Sequence, residues 1–339
     1  MINFEFARAV DVGDALRQMA AAGPRAKLIA GGTNLVDLMK SDVERPARLI
    51  DISGLPLRAV EETAEGGLRI GALVPNTDLA YHPLIETRYP LLASAILAGA
   101  SQQLRNMATV GGNLMQRTRC SYFYDVATPC NKREPGTGCS ARHGLNRGHA
   151  ILGASDACIA VHPSDMCVAL AVLEAKVQAM GPKGERSIAF ADFHRLPGET
   201  PQVDTTLGAD EIITGLELAV QGYPQHYTYL KIRDRLSYAF ALVSVAVGME
   251  IAGGTMRGAR FALGGVAHKP WRDPQAEAEL NGKAPEEANF RRAAEAALSG
   301  ARSYGHNDFK IELARRAIVR ALGQAAHGRP QSNNHKRIE

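Results

Sequence analysis

Cysteine is scarce in this chain, with five among 339 residues: Cys120, Cys130, Cys139, Cys158 and Cys167. All five fall within a 48-residue stretch, and the other 291 residues contain none. A disulfide scaffold would be denser and would use an even number. No CxxC pair occurs, so zinc-ribbon and ferredoxin-type signatures are absent. Long apolar runs are also missing. No stretch of 18 apolar residues exists, and no membrane span is expected. The opening MINFEFARAVDVGDALRQ carries Glu5 and Asp11 and lacks the apolar core of a secretory signal. Charge of one sign is in short supply as well. Thirty-nine Lys and Arg against 35 Asp and Glu leave a net +4, which argues against a nucleic-acid partner.

Hydrophobic residues make up 45% and charged residues 22%, enough for a sizeable core, and the length suits about two domains. Asp11 reads as the cap of a helix ended by Gly23-Pro24. A short strand at 27–30 leads into Gly31-Gly32-Thr33-Asn34, a helical turn and a strand at 48–52. Further strands are expected at 68–74, 156–161, 176–180, 187–190 and 211–218. Helices are expected at 89–100 and 166–174. Gln221-Gly222-Tyr223-Pro224 marks a boundary. Beyond it three strands of an antiparallel meander (227–233, 241–251, 257–263) precede helices near 286–298 and 308–323. Residues 326–339 are polar and read as a disordered tail.

Three turns have the composition of phosphate-binding loops. The first is Ala30 to Asn34, the second Thr109-Val110-Gly111-Gly112-Asn113, and the third Ser155-Asp156 with His162-Pro163-Ser164-Asp165. Glycine lets backbone N–H groups approach a phosphate, and Thr and Asn add donors. Plain structural turns are the competing reading of each. The first is not GxGxxG, so a nicotinamide Rossmann site is not indicated. Asp165 is read as a helix N-cap, as a ligand acceptor, or both.

Between the second and third turns, residues 116–149 lose periodicity. A structureless stretch of that length inside a domain points to function. It holds Arg117, Arg119, Lys132, Arg133, Arg142 and Arg147 against Asp125 and Glu134. Positive neighbours lower thiol pKa values and offset thiolate charge. The cysteine spacing leaves an iron–sulfur cluster, zinc and simple packing open. His143 and His149 are candidate zinc ligands or solvated loop histidines. Cys167, followed by Val168, Ala169 and Leu170, reads as a small core residue. That leaves Cys120, Cys130, Cys139 and Cys158 as the ligand set.

The segments KLIAGGTNL (27–35), ATVGGNLMQ (108–116) and SDACIAVHPSDM (155–166) together resemble the flavin-binding subunits of the xanthine dehydrogenase family of molybdenum hydroxylases. The resemblance covers residues 1–325. The run at 130–165 is similar to the FAD and [4Fe–4S] subunits of bacterial periplasmic aldehyde oxidoreductases, and less so to those of 4-hydroxybenzoyl-CoA reductases. It implies an α+β chain with a vanillyl-alcohol-oxidase-type (PCMH-type) FAD-binding fold over 1–222. The subdomains would be about 1–53 and 54–222, with an iron–sulfur loop at about 116–158. A C-terminal α/β domain of the CO dehydrogenase flavoprotein type would occupy 223–325.

The resemblance also implies roles. Leu28, Ile29, Ala30, Gly31, Gly32, Thr33, Asn34 and Leu35 would wrap the FAD pyrophosphate. Thr109, Gly112 and Asn113 would contact its flavin-side half. Asp165 would lie near the ribityl chain, and Lys231 beside the flavin with Arg235 and Tyr238 near it. Ser155, Asp156 and Ile159 complete the cofactor set. Cys120, Cys130, Cys139 and Cys158 would hold a [4Fe–4S] cluster. Partners would be a large molybdenum-cofactor subunit and a small [2Fe–2S] subunit, with no catalytic base on this chain. DRLSYAF (234–240) departs from the pattern of NAD-using animal relatives. A periplasmic complex, exported folded with a signal-bearing partner, is expected, with the cytoplasm as alternative. The competing functions are another molybdenum hydroxylase, a self-sufficient flavin oxidoreductase and a zinc-stapled binding module.

Overall fold

The computed structural model describes residues 1–328, which form three sheets. The first is parallel, with Arg48–Asp51 between Glu5–Arg8 and Ala26–Ile29. Helix Val12–Ala22 connects the outer strands. Asp11 caps it by accepting the Asp14 N–H at 2.6 Å, and Gly23, at φ 70°, ends it. Its Ala15, Leu16 and Met19 pack on Ile50 and Ile52. The edge strand Glu5–Arg8 escaped the sequence reading because Phe6 is exposed there and the alternation of buried and exposed residues fails.

The second sheet is antiparallel, in the order Val60–Glu62, Leu68–Gly71, Ile212–Leu218, Lys176–Gly181, Gly184–Ala189. Residues 72–175 are therefore one excursion from this sheet, and they carry the second and third turns and all five cysteines. The third sheet is the expected meander, with Val243–Ala252 between Tyr227–Ile232 and Thr255–Gly264.

Two helices of the excursion, Pro90–Ala98 and Asp165–Val172, are apolar nearly all round. A helix with that composition must be covered on every side. They lie between the second and third sheets, so one core runs from Val177 and Leu216 through Leu92 and Leu170 to Ala246 and Ala262. Helix Phe309–Ala326 packs on the third sheet, with Glu287–Ala297 against it.

Several expectations need correction. Residues 156–161 form no strand. Ile159 and Ala160 are buried as in a strand, but the backbone bonds run irregularly, from Ala150 N to Ile159 O and from Ser155 N to Cys158 O. The glycine turn near 110 is a short helix, Val110–Leu114. The last helix runs on to Ala326, into the expected tail, while 329–339 lie outside the described residues. The Asp165 helix is capped by Ser164, whose Oγ accepts the Cys167 N–H at 3.1 Å.

Candidate functional site

The fold draws the glycine turns together. Gly31 lies so close to the end of helix Gln102–Met107 that a Cβ would come within 1.7 Å of the Met107 carbonyl oxygen. Gly32 follows at φ 71°. Every residue from Leu28 to Leu35 is half-buried, as the lining of a cleft would be. Asn34 ties the first turn to the far side of the second, its Oδ1 accepting the Arg117 N–H at 2.9 Å. Its Nδ2 is buried without a partner. Buried donors are almost always satisfied, so an amide anchored at one end and unsatisfied at the other fits a ligand that completes it.

The second turn is joined to the third in the same way. Thr109 caps its helix by accepting the Gly112 N–H at 3.3 Å, and Ser164 donates its Oγ–H to Asn113 Oδ1 at 2.5 Å. The next residue, Asp165, is locked from the third sheet. Tyr229 donates to its Oδ1 at 2.6 Å and Lys231 to its Oδ2 at 2.8 Å. Lys231 also donates to Ala98 O at 3.1 Å, where Arg233 joins it at 3.1 Å. Burial and then the Asp165 charge push the Tyr229 phenol far above its usual range, so it stays a donor. Sequence reasoning missed Tyr229, although its position two residues before Lys231 puts both on one face of a strand.

Ser155 and Asp156 are engaged elsewhere. Ser155 donates to Gly198 O at 2.7 Å, and the exposed Asp156 pairs with Arg142 at 2.8 Å. Ile159 is buried, its carbonyl taken by Ala150. Arg235 donates to the Tyr238 carbonyl in an exposed loop.

The cysteine loop is built almost wholly by side chains that bond to backbone. Asn131 Oδ1 takes the Gly136 and Gly138 N–H groups at 3.1 and 2.8 Å, which brings Cys130 and Cys139 into an antiparallel bridge. Arg133 donates to the carbonyls of Tyr122 and Phe123 at 2.9 Å and to that of Thr128, folding the Cys120 segment onto the same hairpin. The result is that Cys120, Cys130, Cys139 and Cys158 line a single space with Phe123, Ala141 and Ala160, some 280 Å³ in part open to solvent. Burial pushes the Cys120 thiol up to about 11, with Cys130 and Cys139 adding to it, and the Cys158 thiol up to about 12. Bare thiolates are disfavoured in such a cage. Four converging sulfurs there fit a cation that supplies the missing charge.

Behind Cys158, Lys132 is buried against Asp204, the Pro201 carbonyl at 2.8 Å and His268 Nε2 at 2.6 Å. Burial alone would raise Asp204, but Lys132 and Arg117 hold it at about 2. Arg117 reaches Asp204 and Glu44, both at 2.9 Å, and so links this network to the first turn's side of the molecule. His149, one of the candidate solvated histidines, is buried instead, with Nε2 3.1 Å from Cys120 Sγ.

Cys167 is fully buried and does not line the four-cysteine space. It forms a separate group with His162 and His194, the potential ligand atoms lying within 4.8 Å of one another. The hydrogen bonds mark this group as core. His194 Nε2 donates to the Leu114 carbonyl at 2.9 Å, and His162 Nδ1 accepts the Ser164 N–H at 3.4 Å. The proton of neutral His162 is thereby on Nε2, which presents an N–H and no lone pair. Burial pushes the Cys167 thiol up to about 12.

Residues 2–219 match the FAD binding domain in molybdopterin dehydrogenase, and residues 226–325 the CO dehydrogenase flavoprotein C-terminal domain. The chain belongs to the FAD-binding medium subunits of the molybdenum hydroxylase family. It is 51% identical over 303 residues to the aldehyde oxidoreductase FAD-binding subunit PaoB of Escherichia coli (strain K12), covering 89% of this chain and 92% of that one. It is 29% identical over 330 residues to the carbon monoxide dehydrogenase medium chain of Hydrogenophaga pseudoflava, covering 95% and 97%. A solved carbon monoxide dehydrogenase structure from that organism superposes with a TM-score of 0.75 at 28% identity, over 96% of this chain and 98% of its own. A molybdenum hydroxylase medium subunit is an oxidoreductase component. Among the described residues no helix is long and apolar enough to cross a membrane.

Proposed function

We propose that this medium subunit carries FAD and a [4Fe–4S] cluster and serves electron transfer in a molybdenum-dependent aldehyde oxidoreductase. It would work with a large molybdenum-cofactor subunit and a small [2Fe–2S] subunit, in a periplasmic complex. The observation that carries the cluster is the convergence of Cys120, Cys130, Cys139 and Cys158 on one apolar space beside the FAD-type turns. The likeness to PaoB supports aldehyde as the substrate class.

FAD exchanges one or two electrons and an iron–sulfur cluster one, and a protein tunes both by hydrogen bonds, charge and burial. The 30–34 turn and the Asn34 amide offer donors to a pyrophosphate. The Lys231 side chain is buried and clamped by Asp165 and the Ala98 carbonyl, an ammonium–carboxylate pair beside the third turn. Phe123, Ala141 and Ala160 restrict water around the cysteines, and Lys132 places a cation behind Cys158. No side chain is needed as a general base, because the substrate's bond-making would occur on the large subunit.

Purification of the complex with flavin and metal analysis tests this. About six irons or more per FAD are expected, four from the cluster on this chain and two from each [2Fe–2S] centre of the small subunit. Zinc in place of the four irons beyond those of the small subunit would overturn the cluster, since four thiolates also suit tetrahedral zinc. Aldehyde oxidation by this chain without the large subunit would overturn the subunit role. Finding the complex only in the cytoplasmic fraction would overturn the compartment.

A further inference from the structure

His149 does not belong to the four-cysteine set, yet its imidazole closes on one member of it. Nε2 lies 3.1 Å from Cys120 Sγ, while Nδ1 is buried without a partner. These two facts assign the proton. With hydrogen on Nδ1, an N–H would be buried unsatisfied and a nitrogen lone pair would face the sulfur. With hydrogen on Nε2, the sulfur receives a donor and only a bare acceptor is left unpaired, which is the less costly arrangement.

The ring is held from outside its own loop. The His149 carbonyl accepts Lys310 Nζ at 2.7 Å, and Lys310 also donates to the Gly265 carbonyl at 2.6 Å. Asn307 Nδ2 donates to the Ala150 carbonyl at 2.9 Å, and Asn146 Oδ1 accepts the His306 N–H at 3.0 Å. The start of the last helix thus fixes the backbone on both sides of His149. Tyr122 lies against the ring, at 6.3 Å between centroids. Such an arrangement, a donor with a rigid mount aimed at a sulfur ligand, is how proteins adjust a metal centre through its ligands.

We propose that His149 is a positioning residue that donates its Nε2–H to the Cys120 sulfur and raises the reduction potential of the cluster. The inference rests on the [4Fe–4S] reading above. A hydrogen bond to a ligand thiolate stabilises the more negative, reduced state, so removing it lowers the midpoint. Lys310 and Asn307 belong to the C-terminal domain, so that domain holds the backbone that carries the histidine.

The test is a redox titration of the purified complex followed by electron paramagnetic resonance, with iron content measured alongside. His149→Phe keeps a ring and removes the donor; its midpoint shifts downward with iron unchanged. His149→Gln keeps an N–H, and its midpoint recovers toward that of the unmodified protein. Lys310→Met leaves the imidazole and loosens its mount, giving a smaller downward shift, and serves if His149→Phe fails to fold. Unchanged midpoints with full iron would overturn the role of His149. So would loss of iron in both His149 variants, which would make the histidine an iron ligand. An unmodified complex with no iron beyond that of the small subunit's [2Fe–2S] centres overturns the cluster reading itself, a separate outcome.

Discussion

The second and third FAD-type turns lie beside the cysteine loop in one excursion from the second sheet, the first turn joins them from the first sheet, and turns and loop are held in place by opposite means. The turns occupy the ends of regular elements: the strand Ala26–Ile29, the helix Val110–Leu114 and the helix Asp165–Val172. Backbone geometry positions them, and side chains such as Ser164 and Asn34 only join one to the next. The cysteine loop has almost no regular structure to lean on. Asn131, Arg133, Asn146, Lys132 and Lys310 each bond to carbonyls or N–H groups that a strand or helix would otherwise have satisfied. A site held by backbone tolerates side-chain changes around it. A site held by buried polar side chains fails when one of them is removed.

The largest effects should separate the two regions completely. Cys130→Ser should remove about four irons per FAD from the purified complex, sparing those of the small subunit, and leave FAD bound. Gly31→Ala should do the reverse, because its Cβ cannot coexist with the Met107 carbonyl and the first two turns must part. Flavin fluorescence after denaturation and iron analysis read both. If Cys130→Ser also lost FAD stoichiometrically, the regions would be one cooperative unit and the contrast would be wrong.

The same contrast explains what was legible beforehand. Gly31-Gly32-Thr33-Asn34 and Thr109-Val110-Gly111-Gly112-Asn113 are readable because glycine in a tight turn is a local requirement, set by neighbours a few residues away. The meander and the two C-terminal helices were legible from periodicity for the same reason. The supports of the cysteine loop were not. Lys132 meets Asp204 and His268, and His149 meets Lys310, across more than 70 residues of chain in each case. In the sequence Lys132 reads as one more loop charge and His149 as a zinc ligand or a solvated histidine. The strand expected at 156–161 failed similarly. Burial of Ile159 and Ala160 mimics a strand, while the bend that carries Cys158 leaves no ladder for it to join.

Lys132→Met sharpens the comparison on the side-chain-held region. Removing one partner of a buried pair strands the other, here Asp204, and costs about 3 kcal/mol. That is the lower end of the usual range because Arg117 still pairs with the second carboxylate oxygen. Denaturant unfolding of the complex measures it, and a loss below about 1 kcal/mol would mean that water takes over from the ammonium. Cys167→Ala should do far less. It removes one sulfur from a well-packed core, about 1 kcal/mol, and leaves the iron content unchanged. Loss of iron there would show that the wrong four cysteines had been chosen.

The smallest effect is graded and follows pH. Burial holds His194 and His268 down at about 4, against an ordinary value near 6.5. Between those two pH values the unfolded chain takes up protons that the folded chain refuses. Their contribution to stability is therefore complete above pH 6.5 and declines as pH falls toward 4. Asp204 behaves differently. Its carboxyl is held at about 2, so its share is intact above its ordinary value of 3.8 and is lost only as pH falls toward 2. Acid should thus loosen the surroundings of the cysteine loop in two steps, histidines first. Thermal melts from pH 7 to 4 should show the melting temperature falling across the first window, and His194→Gln should flatten that fall by its share. A flat profile from pH 6.5 to 4.5 would mean that these histidines protonate freely in the folded protein and that their surroundings are not dry.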